Sequence, residues 1–117
     1  VPPSNLPDDA LVVRGGADIT AESIVAGSGF HPCGIDGFSA ESAPGATLAD
    51  LATWIPNNQV GVTTVRAVRG AGGEVTLTPG RSPNHATVSG LDPAVASALF
   101  SPAQPNPVPR DQREVFR

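Results

Sequence analysis

Residues 61 to 100 set the tightest limits on the fold, because their helix caps, strand alternation and turn residues agree with one another. Residues 74 to 78 alternate between polar and apolar side chains, as a strand with one buried face does. A proline-rich turn separates them from a second alternating run that starts at His85. Thr63 and Asp92 are placed to cap one helix before the two strands and one after them. The stretch therefore predicts a helix, a hairpin and a second helix.

The rest of the chain adds short elements separated by glycine and proline. Residues 10 to 14 form a β-branched run that ends at a Gly-Gly pair, and residues 38 to 42 form another short strand. Helices are predicted over residues 19 to 25 and over residues 48 to 55, the latter after a Thr-x-x-Asp capping box. Together these elements predict an α+β fold: a small antiparallel sheet with three to four short helices packed on it and long Gly/Pro-rich loops.

A chain of 117 residues is long enough to bury one core. We expect residues 1–9 to be an extended arm, residues 10–100 a single α+β domain, and residues 101–117 a proline-rich strap along its surface. The chain contains no methionine, so we expect the domain to be a module of a larger polypeptide.

Composition also limits the functional classes. One cysteine allows no internal disulfide and no zinc knuckle, and we expect no metal cofactor. The chain has no run of about 18 apolar residues, so we expect no membrane partner. The net charge is -4 and every positive side chain is an arginine, which argues against a broad basic face for nucleic acid. A contact with a polyanion would have to be local, through one of the arginines Arg14, Arg66, Arg69 or Arg81.

The second strand of the hairpin carries the sharpest chemical feature. Alternation places Ala86 and Val88 inward and His85, Thr87 and Ser89 outward. A histidine flanked by hydroxyls can act as a general acid or base near neutral pH. The alternative is that the three polar side chains form only the exposed face of a two-sided sheet.

Two further residues have both a structural and a functional interpretation. Arg14 ends the first predicted strand, where its aliphatic stem can be buried while the guanidinium faces a cleft and binds phosphate or carboxylate. A rim ion pair with a nearby aspartate is the alternative. Trp54 falls one residue off the apolar stripe of its helix, so it can either line a pocket for a base or a nicotinamide ring or close the edge of the core.

The layout of residues 62–100 resembles the small dsRNA-binding-like toxins of the HicA type. The shared order is helix, Gly-Gly, strand, Asn-His-Ala-Thr strand and helix. The resemblance implies a metal-independent ribonuclease. In it His85 takes the proton of the 2′-hydroxyl while Arg81 stabilises the charge that develops on phosphorus.

The first half of the chain is similar to the opening of bacterial ADP-ribosyltransferase toxins. The similarity rests on Leu-Val-Val-Arg-Gly-Gly at residues 11–16, a glycine-rich gap, and Phe-Ser-Ala-Glu-Ser at residues 38–42. It implies NAD as the cofactor, bound by Arg14, with Ser39 supporting the nicotinamide pocket.

This similarity also implies further site residues. Phe38 or Trp54 would stack on a ring of the dinucleotide. The Glu-x-Glu or Gln-x-Glu motif of the family does not follow, so His85 or Glu74 would stand in as the catalytic group. Thr87, on the strand of His85, completes the catalytic set that we predict.

Both resemblances imply a small bacterial toxin-like enzyme domain that acts on a nucleotide or nucleic acid. We expect an ADP-ribosyltransferase-like, NAD-using enzyme first and a ribonuclease second. A non-catalytic protein-binding module, whose exposed hairpin edge pairs with a partner strand, is the third hypothesis. A toxin would act in the cytoplasm, can be delivered by secretion within a larger protein, and would have a cognate immunity or antitoxin protein as its partner.

Overall fold

A computed structural model describes residues 6–16, 28–30, 36–78, 80 and 82–116 of the chain. The helix predicted over residues 19 to 25 and the predicted ribonuclease residue Arg81 lie outside these ranges. In the described part, no helix is long and apolar enough to cross a membrane.

The core of the fold is an antiparallel sheet. Its strands are β1 (Leu11–Gly15), β2 (Ser28–Phe30), β3 (Asp36–Ser42), β4 (Gln59–Thr64), β5 (Glu74–Leu77), β6 (His85–Ser89) and β7 (Gln104–Pro105). The spatial order is β5-β6-β3-β1-β4-β7, with β2 paired to β3 off this path. All pairings are antiparallel. The predicted hairpin of β5 and β6 is present, but β3 lies on its other side, so the hairpin is part of a larger sheet.

In the described part of the chain three helices pack on the sheet, and each begins at a side-chain cap. They are α1 (Leu48–Ala52), α2 (Val65–Gly70) and α3 (Pro93–Phe100), followed by 3-10 turns at Arg110–Gln112 and Glu114–Phe116. The predicted capping box of α1 is present, and Asp92 accepts a hydrogen bond from the Ala94 amide at 2.9 Å. The cap of α2 is Thr64, one residue later than predicted. The predicted α+β class, a small antiparallel sheet with short helices, is confirmed.

The two faces of the sheet have separate apolar clusters. Val12 lies in the larger cluster, which contains residues of α2 and α3. Its neighbour Val13 lies in a smaller cluster that contains Leu51 of α1 and Ile55. Both valines are fully buried, which shows that β1 is covered on both faces. This explains why its sequence is apolar at consecutive positions and does not alternate.

The pairing of β1 with β3 is short. The two strands pair only at Val12↔Ser42 and Val13↔Glu41. On the other side of β3, the ladder with β6 continues to the pair Glu41↔His85. Arg14 therefore lies just beyond the last β1–β3 pair, close to the start of β6.

The C-terminal segment, residues 104–116, folds back against the end of α1. The Asn106 amide donates to the carbonyl oxygens of Ala52, Ile55 and Asn57 at 3.1 to 3.3 Å. Arg113, only 4% exposed, donates to the carbonyl of Pro56 and to Asn58 Oδ1. These bonds fix the connection between α1 and β4, which forms one wall of a cleft beside β1 and β3.

Candidate functional site

A cleft of about 240 Å³ opens where β1 separates from β3. Its walls come from β1, β3, the start of β6 and the connection after α1. The lining residues are Val13, Arg14, Gly15, Ser39, Ala40, Glu41, Trp54, Ile55, Pro56, Asn57 and His85. The cleft thus brings together four predicted site residues, Arg14, Ser39, Trp54 and His85, and adds the acidic side chain of Glu41.

Arg14 is held at the cleft by β3. Its Nη1 donates to the Ser39 carbonyl at 3.2 Å, and its guanidinium carbon lies 5.0 Å from the centre of the Phe38 ring. Burial lowers the pKa of the Arg14 guanidinium, which remains a cation at any physiological pH. A stacked, partly desolvated guanidinium is a strong partner for phosphate or carboxylate.

Phe38 does not have the role that the family resemblance implies. The ring is 3% exposed and packs edge-on against Phe100, with ring centres 5.8 Å apart. Because side chains alternate along β3, Phe38 points to the face opposite that of Ser39. Its ring is therefore not available to stack on a ligand. The Arg14 guanidinium lies over this ring, so the Arg14 side chain leaves β1 on the face of Phe38 and borders the cleft at the gap between β1 and β3.

His85 is held by hydrogen bonds at both ring nitrogens. Nε2 lies 3.2 Å from Ser39 Oγ, while Nδ1 lies 2.9 Å from Thr78 Oγ1 and 3.3 Å from the Thr78 carbonyl oxygen. A carbonyl oxygen only accepts, so that contact favours a proton on Nδ1. The lone pair of Nε2 then faces the Ser39 hydroxyl. Gly80 packs against the imidazole so closely that a Cβ at this position would overlap the ring.

Thr87 is linked to His85 only indirectly, through Thr78. Its side chain is fully buried, and its Oγ1 lies 2.9 Å from Thr78 Oγ1, which in turn contacts His85. We predicted Thr87 and Ser89 on an outward polar face, and this was wrong, because Ser89 is also buried at 6% exposure. The hydroxyl of Thr87 supports the group that orients His85 and does not itself line the cleft.

Glu41 is the site residue that sequence reasoning missed. It lies directly across from His85 in the β3–β6 ladder and is only 8% exposed. Burial raises the pKa of Glu41 to about 7, against the opposing effect of a hydrogen bond from Ser82. Its Oε2 has no hydrogen-bond partner among the described residues. A carboxyl group that titrates near neutrality beside an imidazole is suited to proton transfer and to charge stabilisation.

Glu74 lies apart from the cleft. Its Oε1 accepts from Arg69 Nε at 3.0 Å, and Arg69 also forms an ion pair with Asp8 at 2.6 Å. Glu74 is four residues from Thr78 along the same chain segment, a separation of about 13 Å in an extended strand. It therefore does not stand in for the missing catalytic glutamate. Arg69, one of the arginines considered for a local polyanion contact, is ion-paired with two carboxylates.

The wall opposite β3 carries the indole of Trp54 and the side-chain amide of Asn57. Trp54 is partly exposed and lines the cleft next to Asn57. Gly15 lets this wall come close, because a Cβ there would overlap the Asn57 side chain and Ile55. The two placements considered for Trp54 were the lining of a pocket and the edge of the core, and in the structure the half-buried indole lines the cleft.

No family model matches the chain, and no curated protein and no solved structure matches it either. Within the described residues, no group of three histidine, cysteine or acidic side chains lies close enough to bind a metal ion.

The cleft combines a cation, a carboxyl group and an aromatic ring. A guanidinium binds phosphate or carboxylate, a carboxylate stabilises positive charge, and a partly exposed indole stacks on flat rings. These groups are Arg14, Glu41 and Trp54.

Proposed function

We propose that the domain is an ADP-ribosyltransferase-like enzyme that uses NAD. The observation that carries the proposal is that Arg14, Ser39 and Glu41 line one cleft. The resemblance to this enzyme class lacks a glutamate in the expected C-terminal motif. Glu41, brought to the cleft by the pairing of β3 with β1 and β6, supplies a carboxylate from a different part of the chain.

In the proposed reaction each group has one task. Arg14 binds the pyrophosphate through charge-assisted hydrogen bonds, and Trp54 stacks on the nicotinamide ring. As the bond between C1′ of the ribose and nicotinamide breaks, positive charge develops on the ribose. Ionised Glu41 stabilises that charge, which is an electrostatic effect favoured in a partly desolvated site.

The first experiment measures NAD consumption by the wild-type chain and by Arg14→Ala. Arg66→Ala is the matched control, because Arg66 is exposed on α2 and does not line the cleft. We expect Arg14→Ala to reduce kcat/KM by about 100-fold through loss of charge-assisted bonds, and Arg66→Ala to leave it unchanged. A wild-type chain that consumes no NAD, with or without added acceptor proteins, would contradict the proposal.

The pH dependence provides a second test. Because the active form of Glu41 is the ionised one and its pKa lies near 7, we expect NAD consumption to rise with pH through this range and then to level off. Initial rates between pH 5 and 9 check this. A rate that falls as pH rises through 7 would exclude ionised Glu41 as the stabilising group.

A metal-independent ribonuclease is the second candidate, favoured by a specific observation. Glu41 and His85 face each other across the β3–β6 ladder, with Arg14 in the same cleft. A base and an acid on either side of a phosphodiester, together with a cation, can transfer a phosphoryl group from the 5′-oxygen to the 2′-hydroxyl. Degradation of RNA with a bell-shaped pH profile, abolished in His85→Ala, would favour this reaction over the NAD reaction.

We further propose that the domain is toxin-like, acts in the cytoplasm, and is neutralised by a cognate immunity or antitoxin protein. Expression of the wild-type chain in a bacterial host, compared with expression of Glu41→Gln, tests this. Growth arrest by the wild type alone would support it. Harmless expression together with inactivity on NAD and on RNA would instead favour a non-catalytic binding module.

A further inference from the structure

We infer that Ser39 is a nucleophile that accepts the ADP-ribosyl group, so that the domain modifies itself inside its own cleft. The inference rests on the proposed use of NAD. It goes beyond that proposal because the resemblance gives Ser39 only a supporting role in the nicotinamide pocket. The geometry points instead to a serine activated by a histidine.

The side chains of Ser39 and His85 are in contact. Ser39 Oγ lies 3.2 Å from His85 Nε2, within reach for proton transfer. The Nδ1 contact with the Thr78 carbonyl favours the tautomer that carries the ring proton on Nδ1. In that tautomer His85 presents the Nε2 lone pair to the hydroxyl, which is the arrangement of a nucleophile and its base.

A third group fixes the base. Thr78 Oγ1 lies 2.9 Å both from His85 Nδ1 and from Thr87 Oγ1. Thr87 is fully buried, and Gly80 closes against the imidazole ring. The imidazole is thus held from two sides in one orientation, as a base must be to act on a hydroxyl at fixed distance.

The other serine hydroxyls near the cleft are less suited than that of Ser39 to act as the acceptor. Among the described residues that line the cleft, Ser39 carries the one hydroxyl, and it is exposed. Ser42, on the same strand, is fully buried and donates to the Leu11 carbonyl at 2.6 Å. Ser82 is engaged with Glu41. Ser39 is the hydroxyl that a bound dinucleotide would meet.

The step balances without a further reactant. The bond between C1′ of the ribose and the nicotinamide nitrogen breaks, and its electron pair leaves with neutral nicotinamide. Ser39 Oγ forms the new bond to C1′, and its proton passes to His85 Nε2 and then to water. Glu41 is two residues along β3 on the same face, about 7 Å away, and faces the charge on the ribose. The product is an O-glycosidic acetal, which is stable in water and therefore accumulates.

The experiment is incubation of the full chain with NAD, followed by acid quenching, intact mass measurement and peptide mapping. We expect one ADP-ribosyl group per chain, attached at Ser39. Ser39→Ala should abolish the adduct, and His85→Ala should slow its formation by about 100-fold or more, the typical contribution of a positioned base. Ser101→Ala is the control, because this serine is exposed at the end of α3, and its adduct should match that of the wild type.

The outcomes separate this inference from the proposed function. If NAD is consumed and only free ADP-ribose or a modified acceptor appears, the role of Ser39 is overturned while the use of NAD stands. An adduct at any other residue also overturns it. If NAD is not consumed, both proposals fail. Site mapping on the wild-type chain needs no variant, so a folding defect in Ser39→Ala would not obscure the answer.

Discussion

Glu41 affects both the stability of the fold and the reaction that we propose. A carboxyl group buried beside His85 is unfavourable when ionised, because it has lost much of its hydration. Burial raises the pKa of Glu41 to about 7 in the folded chain, from an ordinary value of 4.5. Since the unfolded chain releases this proton near pH 4.5 and the folded chain only near pH 7, the group costs stability progressively between these pH values.

Glu41→Gln should therefore stabilise the fold at high pH. At pH 8 we expect the free energy of unfolding to rise by about 1–2 kcal/mol relative to wild type, and at pH 4 to change little. Urea denaturation at the two pH values measures the difference. Asp111→Asn removes an exposed carboxyl group and is the control. A loss of stability at pH 8 in Glu41→Gln would show that the ionised carboxylate is stabilised by contacts rather than strained.

Gly80→Ala tests whether the position of His85 matters. The added methyl group would overlap the imidazole and displace it from Ser39, so we expect the Ser39 adduct to form at least 10-fold more slowly. Gly70→Ala is the control, because a Cβ at Gly70 meets no atom within 4 Å. The imidazole proton resonances in NMR spectra report the displacement. Unchanged resonances together with unchanged adduct formation would contradict the role given to His85.

Among the secondary-structure elements, short strands and helices with strong local signals were predictable. The capping box at Thr47 and the Asp-Pro start of α3 identify their helices without reference to the rest of the chain. Strand β4 was missed because it runs directly into α2. Thr64 is both the last residue of the strand and the cap of the helix, so no turn residues mark the boundary.

The C-terminal segment was predicted as an extended strap, but its anchor could not be read from composition. Phe116 is 45% exposed, with Arg110 stacked over its ring at 4.3 Å. The firmer attachment is Arg113, a residue type that is rarely buried unless its donors are satisfied. One partner, the Val108 carbonyl, is five residues away, but the Asn58 and Pro56 oxygens lie 55 and 57 residues earlier, so no local pattern reveals the anchor point.

Arg113→Ala should consequently destabilise the fold more than Arg110→Ala. Loss of the hydrogen bonds from a buried guanidinium should cost about 2–3 kcal/mol, whereas an exposed cation–π pair contributes about 1 kcal/mol or less. Urea denaturation of both variants compares them. Because Arg113 holds the Pro56 carbonyl, we also expect a higher KM for NAD in Arg113→Ala. Equal destabilisation by the two substitutions would contradict the assignment of Arg113 as the anchor.

For the whole molecule, the fold class followed from local patterns, while the site did not. The sequence identified four candidate site residues, each from the residues next to it in the chain: Arg14, Ser39, Trp54 and His85. That they share a cleft depends on β3 lying between β1 and β6, a pairing over 25 or more residues that periodicity does not specify. The sequence did indicate that Glu41 shares a strand face with Ser39, two residues away. Only the register of β3 with β6 shows that Glu41 also lies next to His85.

The decisive measurement follows NAD consumption and urea denaturation on the same sample of Glu41→Gln at pH 8. If the buried carboxylate of Glu41 is kept for function, its removal should change the rate of NAD consumption and the free energy of unfolding in opposite directions. NAD consumption should fall by about 100-fold or more, as when a main electrostatic contact of a transition state is removed, while the free energy of unfolding rises. Wild-type rates of NAD consumption in a stabilised Glu41→Gln variant would contradict the account, because the carboxylate would then have no part in the reaction.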